Sequence, residues 1–226
     1  RRRKETGMLR EEDKREVRER LASMREPVTL VYFTQMLAGA CRFCVETERL
    51  LKDLASLSDK ITLEIKNFVS DADEAARYGV DKIPATVLIG AKDQGLCFYG
   101  MPSGYEFMTF LETMLRMSSR DSGLSEESRK LLKRLSRPVH LQVFVTPTCP
   151  YCPQSAILGY SLAMESDFIT CDVVEISEFP HLAQKYEVMG VPKTLINDTD
   201  GLDGAVPEAV LVSRIMKTAE NEPKSE

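Results

Sequence analysis

One cysteine-containing unit occurs twice in this chain of 226 residues. The letters "CRFC" at 41–44 recur as "CPYC" at 149–152, which is a shift of 108 residues. At the same shift, and without gaps, residues 58–86 align with residues 166–194, and nine of the 29 columns are identical. Self-similarity over this length indicates that one supersecondary unit has been duplicated. The chain is therefore predicted to contain two copies of one fold.

Both copies carry the same predicted elements, in the order β-α-β-α-β-β-α. An apolar, β-branched run at 28–34, or at 139–146, predicts a buried strand that ends just before the CxxC. A helical pattern follows each CxxC, and an amphipathic helix at 11–24 or 125–135 precedes each copy. The expected fold class is α/β, with two tandem units that each have a central mixed sheet flanked by helices.

The boundary between the copies is expected in a stretch rich in Ser, Gly and charge, "MSSRDSGLSEES" at 117–128. We therefore expect an N-terminal unit at 1–120 with the CRFC site and a C-terminal unit at 121–226 with the CPYC site. The strand before the first CxxC aligns at a shift of 111, so the loop that leads to this CxxC is three residues longer.

Composition narrows the classes of partner and compartment. The net charge of −5 gives no electrostatic reason to expect nucleic acid or an anionic membrane. No apolar run approaches the ~20 residues of a membrane span, and the basic start at residues 1–4 is expected to be a solvated leader. Six cysteines are too few for a secreted disulfide scaffold, so we expect catalytic thiols and a cytoplasmic location. Scarce Asn and Gln beside many Lys, Arg and Glu favour a heat-adapted source.

The CxxC spacing favours reactive sulfur. At a strand-to-helix turn, we expect the first cysteine at the helix N-cap and the second one turn into the helix, where the two sulfurs can bond. The first sulfur then meets unpaired N–H groups and the positive end of the helix dipole, which favour a thiolate. Pro150 fits the first helical position. A zinc shared by the pairs and an inert structural disulfide remain as alternatives, the former weakened by the wide separation of the pairs.

The other two cysteines are expected to be core residues. Cys97 and Cys171 stand in apolar strand patterns, where a thiol behaves as a small hydrophobic side chain. Each CxxC is therefore predicted to form its own disulfide, while Cys97 and Cys171 remain thiols.

A family resemblance is carried by the CxxC motifs and by a proline that stands 40 residues after the second cysteine in both copies. This arrangement resembles the thioredoxin fold, and "CPYC" resembles the glutaredoxin active site. Two fused units with one CxxC each resemble the protein disulfide oxidoreductases, which are glutaredoxin-like proteins of thermophiles. The resemblance implies cis peptide bonds at the prolines, substrate binding by Ile83, Pro84, Val191 and Pro192, and catalysis by Cys41, Cys44, Cys149 and Cys152.

The sequence also departs from the superfamily pattern. It has no Trp, so the "WCGPC" pattern of thioredoxin is absent. No carboxylate occurs in the strands before the CxxC motifs, where thioredoxin has a buried Asp; Tyr32 and Val143 stand near that place. The group that transfers protons is therefore not identified from the sequence. The glutathione-binding charges of glutaredoxins are not recognisable either.

The expected function is a dithiol–disulfide oxidoreductase that reduces, forms or isomerises protein disulfides without a metal or an organic cofactor. The resemblance implies a flavin-dependent electron donor of the thioredoxin reductase type and a peroxiredoxin as a further partner. One alternative is an electron-relay module for a peroxidase system, although two intact CxxC motifs argue against it. Another is a chaperone-like binding module with vestigial thiols.

The two sites are predicted to differ. Arg42, which lies between the cysteines of the first pair in the sequence, should favour a thiolate at Cys41. A stabilised thiolate stabilises the reduced pair, so this pair should be the more oxidising one. Cys149 is then expected to be the main nucleophile towards substrate.

Overall fold

The structure is a computed structural model that describes residues 7–35 and 41–221. The basic start at residues 1–4 and most of the longer loop before the first CxxC lie outside the described residues. No helix in these two ranges has the length and apolar character needed to cross a membrane.

The secondary structure of the described ranges repeats along the chain as the sequence pattern indicates. The strands are β1 Val28–Thr34, β2 Ile61–Asn67, β3 Ala85–Ile89, β4 Asp93–Tyr99, β5 Val139–Val145, β6 Ile169–Glu175, β7 Lys193–Ile196 and β8 Asp200–Asp203. The helices are α1 Glu11–Leu21, α2 Cys44–Ala55, α3 Ala72–Arg77, α4 Tyr105–Ser119, α5 Glu126–Leu132, α6 Cys152–Glu165, α7 Pro180–Lys185 and α8 Glu208–Asn221.

These strands form one sheet in the order β2-β1-β3-β4-β6-β5-β7-β8. In each half the central strand, β1 or β5, pairs in parallel with one neighbour and antiparallel with the other. A second antiparallel pair, β3 with β4 or β7 with β8, completes the half. The halves meet where β4 pairs in parallel with β6, with Leu96 opposite Cys171 and Tyr99 opposite Val174. The mixed sheet predicted for each unit is confirmed, and the sheet is continuous across both units.

The sheet has an apolar cluster on each face. Successive side chains of a strand point to opposite faces, so Leu30 and Tyr32 belong to one cluster while Val31 and Phe33 belong to the other. The first face is covered by α1, α2, α4, α5, α6 and α8. The second face is covered by the short helices α3 and α7. Both CxxC motifs follow the carboxyl ends of the central strands.

The stretch that was predicted as a linker, 117–128, is partly helical and well anchored. Helix α4 continues to Ser119, and α5 begins at Glu126. Ser118 is buried and donates a hydrogen bond to the Glu26 carbonyl oxygen at 2.6 Å, while Ser122 is buried and bonds to Glu165. The serines that suggested a linker therefore join elements of the core. The unit boundary at residue 120 stays a prediction.

Candidate active site

Each CxxC closes its own disulfide. The bonds join Cys41 to Cys44 and Cys149 to Cys152, with Cα–Cα distances of 5.5 and 5.4 Å, inside the range that a disulfide requires. Cys97 and Cys171 are buried thiols. The predicted pairing is confirmed.

The helices begin two residues later than the sequence predicts. Helix α2 begins at Cys44 with Phe43 as its N-cap, and α6 begins at Cys152 with Tyr151 as its N-cap. The expectation that the first cysteine is the N-cap was therefore wrong, and so was the placement of Pro150 at the first helical position. Pro153 occupies the first turn of α6 instead. A proline there costs no hydrogen bond, because the first N–H groups of a helix have no partner within it.

The first sulfur of the second site still meets a helix N–H group. The Cys152 backbone N–H donates to Cys149 Sγ at 3.1 Å. This contact and the positive end of α6 stabilise negative charge on Cys149 once the disulfide is opened. In the first site, the Arg42 guanidinium lies over the Phe43 ring at 5.1 Å from its centroid.

The two X-Pro bonds implied by the family resemblance are both cis. They are Ile83–Pro84 and Val191–Pro192. The Val191 carbonyl oxygen lies 3.7 Å from Cys149 Sγ, so the structure brings the second CxxC and its proline loop together. Both proline carbonyl oxygens accept a backbone hydrogen bond from a glycine after the next hairpin, Gly100 at 2.9 Å and Gly204 at 2.8 Å. Each proline loop is therefore held by an equivalent hydrogen bond.

Exposure separates the roles of the two sulfurs in the second site. Cys149 is 8% exposed and Cys152 is fully buried. Two large apolar side chains close in sequence to Cys149 and to its proline loop are exposed, Tyr151 at 68% and Met189 at 95%. A disulfide brought to this surface reaches Cys149 first, and Cys152 is reached only through Cys149.

A buried carboxyl group that sequence reasoning missed lies near the second site. Glu106 is fully buried in the first turn of α4, and neither of its carboxyl oxygens has a hydrogen-bond partner among the described residues. The adjacent Tyr105 backbone N–H donates to the Pro147 carbonyl oxygen at 3.0 Å, two residues before Cys149. Burial raises the pKa of Tyr160 on α6, and the charge of Glu106 adds a small contribution.

The environment of Glu106 keeps a proton on it near neutral pH. Burial raises its pKa to about 7; the Thr109 hydroxyl acts against this shift, and the charge of Glu175 acts with it. The signal in the sequence was position: Glu106 stands on the helix face of Phe110 and Thr113, which are also buried. A charged residue on a buried face is a candidate functional group.

The described residues include no group of three or more His, Cys, Asp or Glu side chains that could hold a metal ion. The four CxxC sulfurs are engaged in two separate disulfides.

Comparison with known proteins gives one family model and several similar structures. The thioredoxin domain model matches residues 139–217, which contain the second CxxC and its cis proline. The chain is similar to a protein disulfide oxidoreductase from Aeropyrum pernix, with 29% identity, a TM-score of 0.89 and 97% of each chain covered. It is also similar to the NTD N/C domain of alkylhydroperoxide reductase AhpF from Enterococcus faecalis, with 25% identity, a TM-score of 0.84, and 92% of this chain and 99% of that chain covered.

Sequence relatives are longer proteins. An NADH dehydrogenase from Bacillus subtilis is 22% identical over 148 residues, which cover 66% of this chain and 27% of the relative. The chain spans 27 to 32% of the length of the first curated relatives that it matches. The similarities confirm the two-unit thioredoxin fold and the resemblance to the protein disulfide oxidoreductases.

Proposed function

We propose that this chain, a thioredoxin-fold dithiol–disulfide oxidoreductase of two fused units, acts on disulfides and dithiols of other proteins. The observation that carries this proposal is the second site. Its accessible sulfur, Cys149, lies beside the cis Val191–Pro192 loop and an exposed apolar surface, with Cys152 buried behind it. Exposed apolar side chains beside the reactive sulfur fit a protein chain better than a small polar disulfide.

The chemistry at this site is two successive thiol–disulfide exchanges. In the reducing direction, the Cys149 thiolate attacks a substrate disulfide, and one substrate sulfur leaves as a thiolate that takes a proton. Cys152 then loses its proton and attacks Cys149 Sγ, so the second substrate sulfur leaves. Two electrons have passed to the substrate, and the Cys149–Cys152 disulfide remains. The reverse sequence forms a disulfide in the substrate.

We propose that the Glu106 carboxylate accepts the proton that the Cys152 thiol loses. A buried thiol is a weak nucleophile until it loses its proton, and a thiolate without a partner is costly to bury. A carboxyl group with a pKa of about 7 accepts this proton near neutral pH and returns it in the reverse reaction. Glu106 thus takes the role for which the strands before the CxxC motifs offer no carboxylate.

The substrate chain is proposed to bind along the cis-proline loops. Backbone groups of Ile83 and Val191, held by the following prolines, would pair with an extended substrate segment next to each disulfide. Cys41 and Cys44 are proposed to act in the first unit as Cys149 and Cys152 act in the second.

The proposed electron donor is a flavin-dependent reductase of the thioredoxin reductase type, a peroxiredoxin is a further candidate partner, and the proposed compartment is the cytoplasm. The similarity to an AhpF domain favours a second candidate, an electron-relay module for a peroxidase system. Two disulfide-forming CxxC pairs favour an oxidoreductase with its own substrates.

The test is reduction of insulin disulfides with dithiothreitol as the electron source, followed by turbidity. We expect the wild-type chain to accelerate precipitation and the Cys41→Ser/Cys149→Ser protein to lose the acceleration. A matched Cys97→Ser protein should retain it. Equal rates with and without the wild-type chain would reject protein disulfides as substrates and favour the binding-module alternative.

A further inference from the structure

A second carboxyl group, from the C-terminal half, contacts the segment that follows β4 in the first half. Glu178 follows β6, and its Oε1 accepts a hydrogen bond from the Met101 backbone N–H at 2.8 Å. Its other oxygen, Oε2, is buried and has no hydrogen-bond partner among the described residues. Burying an oxygen without a hydrogen-bond partner costs free energy, and a catalytic role is one reason for a protein to keep such a group.

The partner of Glu178 belongs to the loop that holds the first cis proline. Met101 follows Gly100, whose N–H donates to the Pro84 carbonyl oxygen at 2.9 Å. A Cβ at Gly100 would lie 2.8 Å from Glu175 Cβ and 3.1 Å from Glu178 Oε1, so another residue here would require these side chains to shift. Gly100 also has a φ of +102°, which disfavours other residues. The backbone of the first unit at Gly100 and Met101 therefore lies in close contact with side chains of the second unit.

Charged and titratable groups of the first site interact electrostatically with Glu178. Burial raises the pKa of Glu178, and the Arg42 guanidinium opposes this shift. Burial also raises the pKa of the Tyr32 hydroxyl, and the charge of Glu178 adds a smaller contribution. That hydroxyl donates to the Cys44 carbonyl oxygen at 2.8 Å. Glu175, on β6, adds like charge. Burial is the largest effect on Glu178 and raises its pKa to about 7, so it exchanges protons near neutral pH.

We propose that Glu178, a residue of the second unit, is the carboxyl group that exchanges protons with the Cys41–Cys44 site of the first unit. This proposal rests on the thiol–disulfide exchange chemistry above. When an external thiolate attacks Cys41 Sγ, the sulfur–sulfur bond breaks and Cys44, which is buried, leaves as a thiolate. Glu178 gives that thiolate its proton and becomes a carboxylate. In the reverse direction, the carboxylate takes the proton from Cys44 before Cys44 attacks a mixed disulfide on Cys41.

The arrangement makes the two units reciprocal. Glu106 of the first half is next to Tyr105, which is bonded to the segment before the second CxxC, and Glu178 of the second half contacts the segment that holds the first cis-proline loop. The duplication does not explain this, because the counterparts are Val210, at the shift of 104 residues that relates Gly100 to Gly204, and Ser70, at the shift of 108 residues. In this proposal each site receives its carboxyl group from the other half.

The experiment isolates each site and compares pH profiles. The first-site protein carries Cys149→Ser and Cys152→Ser, and the second-site protein carries Cys41→Ser and Cys44→Ser. Reduction of the oxidised proteins by dithiothreitol is followed from pH 5 to 9 by rapid alkylation and mass analysis. Glu178→Gln is added to both, since glutamine keeps the acceptor for Met101 but does not titrate. The ratio of rates with Glu and with Gln cancels the ionisation of dithiothreitol.

In the first-site protein, we expect Glu178→Gln to slow reduction at least about tenfold at pH 6, where the carboxyl group holds a proton. The ratio should fall towards one above about pH 8. Glu178→Asp should retain a pH-dependent ratio, because it keeps a titrating group. In the second-site protein, Glu178→Gln should leave the rate unchanged, which also shows that the unit carrying the substitution is folded. Glu127→Gln, at an exposed position of α5, is the matched control.

A ratio that stays constant with pH, or an equal loss at both sites, would overturn the proposal. Because the probe is a small dithiol, the result does not depend on whether proteins are the substrates.

Discussion

The residues between the paired sulfurs distinguish the two sites more than the cysteines do. In the sequence, Arg42 lies between the two cysteines of the first pair, and Pro150 and Tyr151 lie between those of the second. A guanidinium next to Cys41 favours its thiolate and so stabilises the reduced pair. Cys149 depends on the Cys152 N–H group and on the helix dipole. A difference of ~30 mV between the pairs, which is about 1.4 kcal/mol, is enough to order them.

We therefore predict that the second site captures substrate better than the first. Cys152→Ser leaves Cys149 to form a stable mixed disulfide, and Cys44→Ser does the same for Cys41. With an oxidised protein substrate in limiting amount, the Cys152→Ser protein should accumulate more mixed disulfide through Cys149, measured by non-reducing electrophoresis and peptide mapping. Greater capture by the Cys44→Ser protein through Cys41 would reverse the assignment.

Glu106 gives a prediction about stability and pH. Its pKa is raised from 4.5 in the unfolded chain to about 7, so the folded state binds this proton more tightly. The free energy of unfolding should therefore fall as the pH rises from about 4.5 to about 7. Glu106→Gln removes this loss and should stabilise the protein by about 3 kcal/mol at pH 8, with little effect at pH 4. Urea unfolding at the two pH values measures it.

The control for this change is Glu127→Gln, which should be neutral at both pH values. An equal effect of Glu106→Gln at pH 4 and pH 8 would show that packing, not ionisation, is responsible. If Glu106 serves the second site, the stabilised variant should also be slower there, as expected where function requires a destabilising group.

Among the elements, the pairs α2–β2 and α6–β6 show how the two copies diverged. In the first copy the helix carries Leu51 and the strand carries Leu63; in the second, Gly159 and Cys171 stand at the same positions. A Cβ at Gly159 would lie 2.7 Å from Cys171 Sγ and 3.1 Å from a methyl carbon of Val143. Helix α6 therefore lies closer to its strand than a larger pair would allow.

We predict that Gly159→Ala destabilises the protein by about 1–3 kcal/mol, because the added methyl group overpacks this contact. Adding Cys171→Ala should recover part of the loss by removing the sulfur. Gly190→Ala is the control, since a Cβ there meets nothing within 4 Å. Thermal unfolding in the oxidised state measures all three. A neutral Gly159→Ala would mean that the helix moves freely from the sheet.

For the molecule as a whole, local patterns predicted the elements and missed the contacts between units. Strand β1 was predicted at 28–34 and found there, since an apolar β-branched run is a local signal. The pairing of β4 with β6 was not predicted, because two edges of separate units carry no local mark of each other. Glu106 was missed for the same reason: its burial depends on elements that the other unit brings against α4. The cysteines and cis prolines followed from spacing and resemblance.

The two units pair through different edges of their sheets. Strand β4, the last of the first unit, pairs with β6, the counterpart of β2 in the second. A head-to-tail contact of this kind is heterologous, so by itself it does not close and could be repeated indefinitely by further units at β8. The outer strands are unsuited to this. Strand β8 has only four residues with Asp200 and Asp203 at its ends, and β2 carries Glu64 and Lys66. Charged, short edges oppose strand addition, so both outer edges of the sheet disfavour the pairing of a further unit.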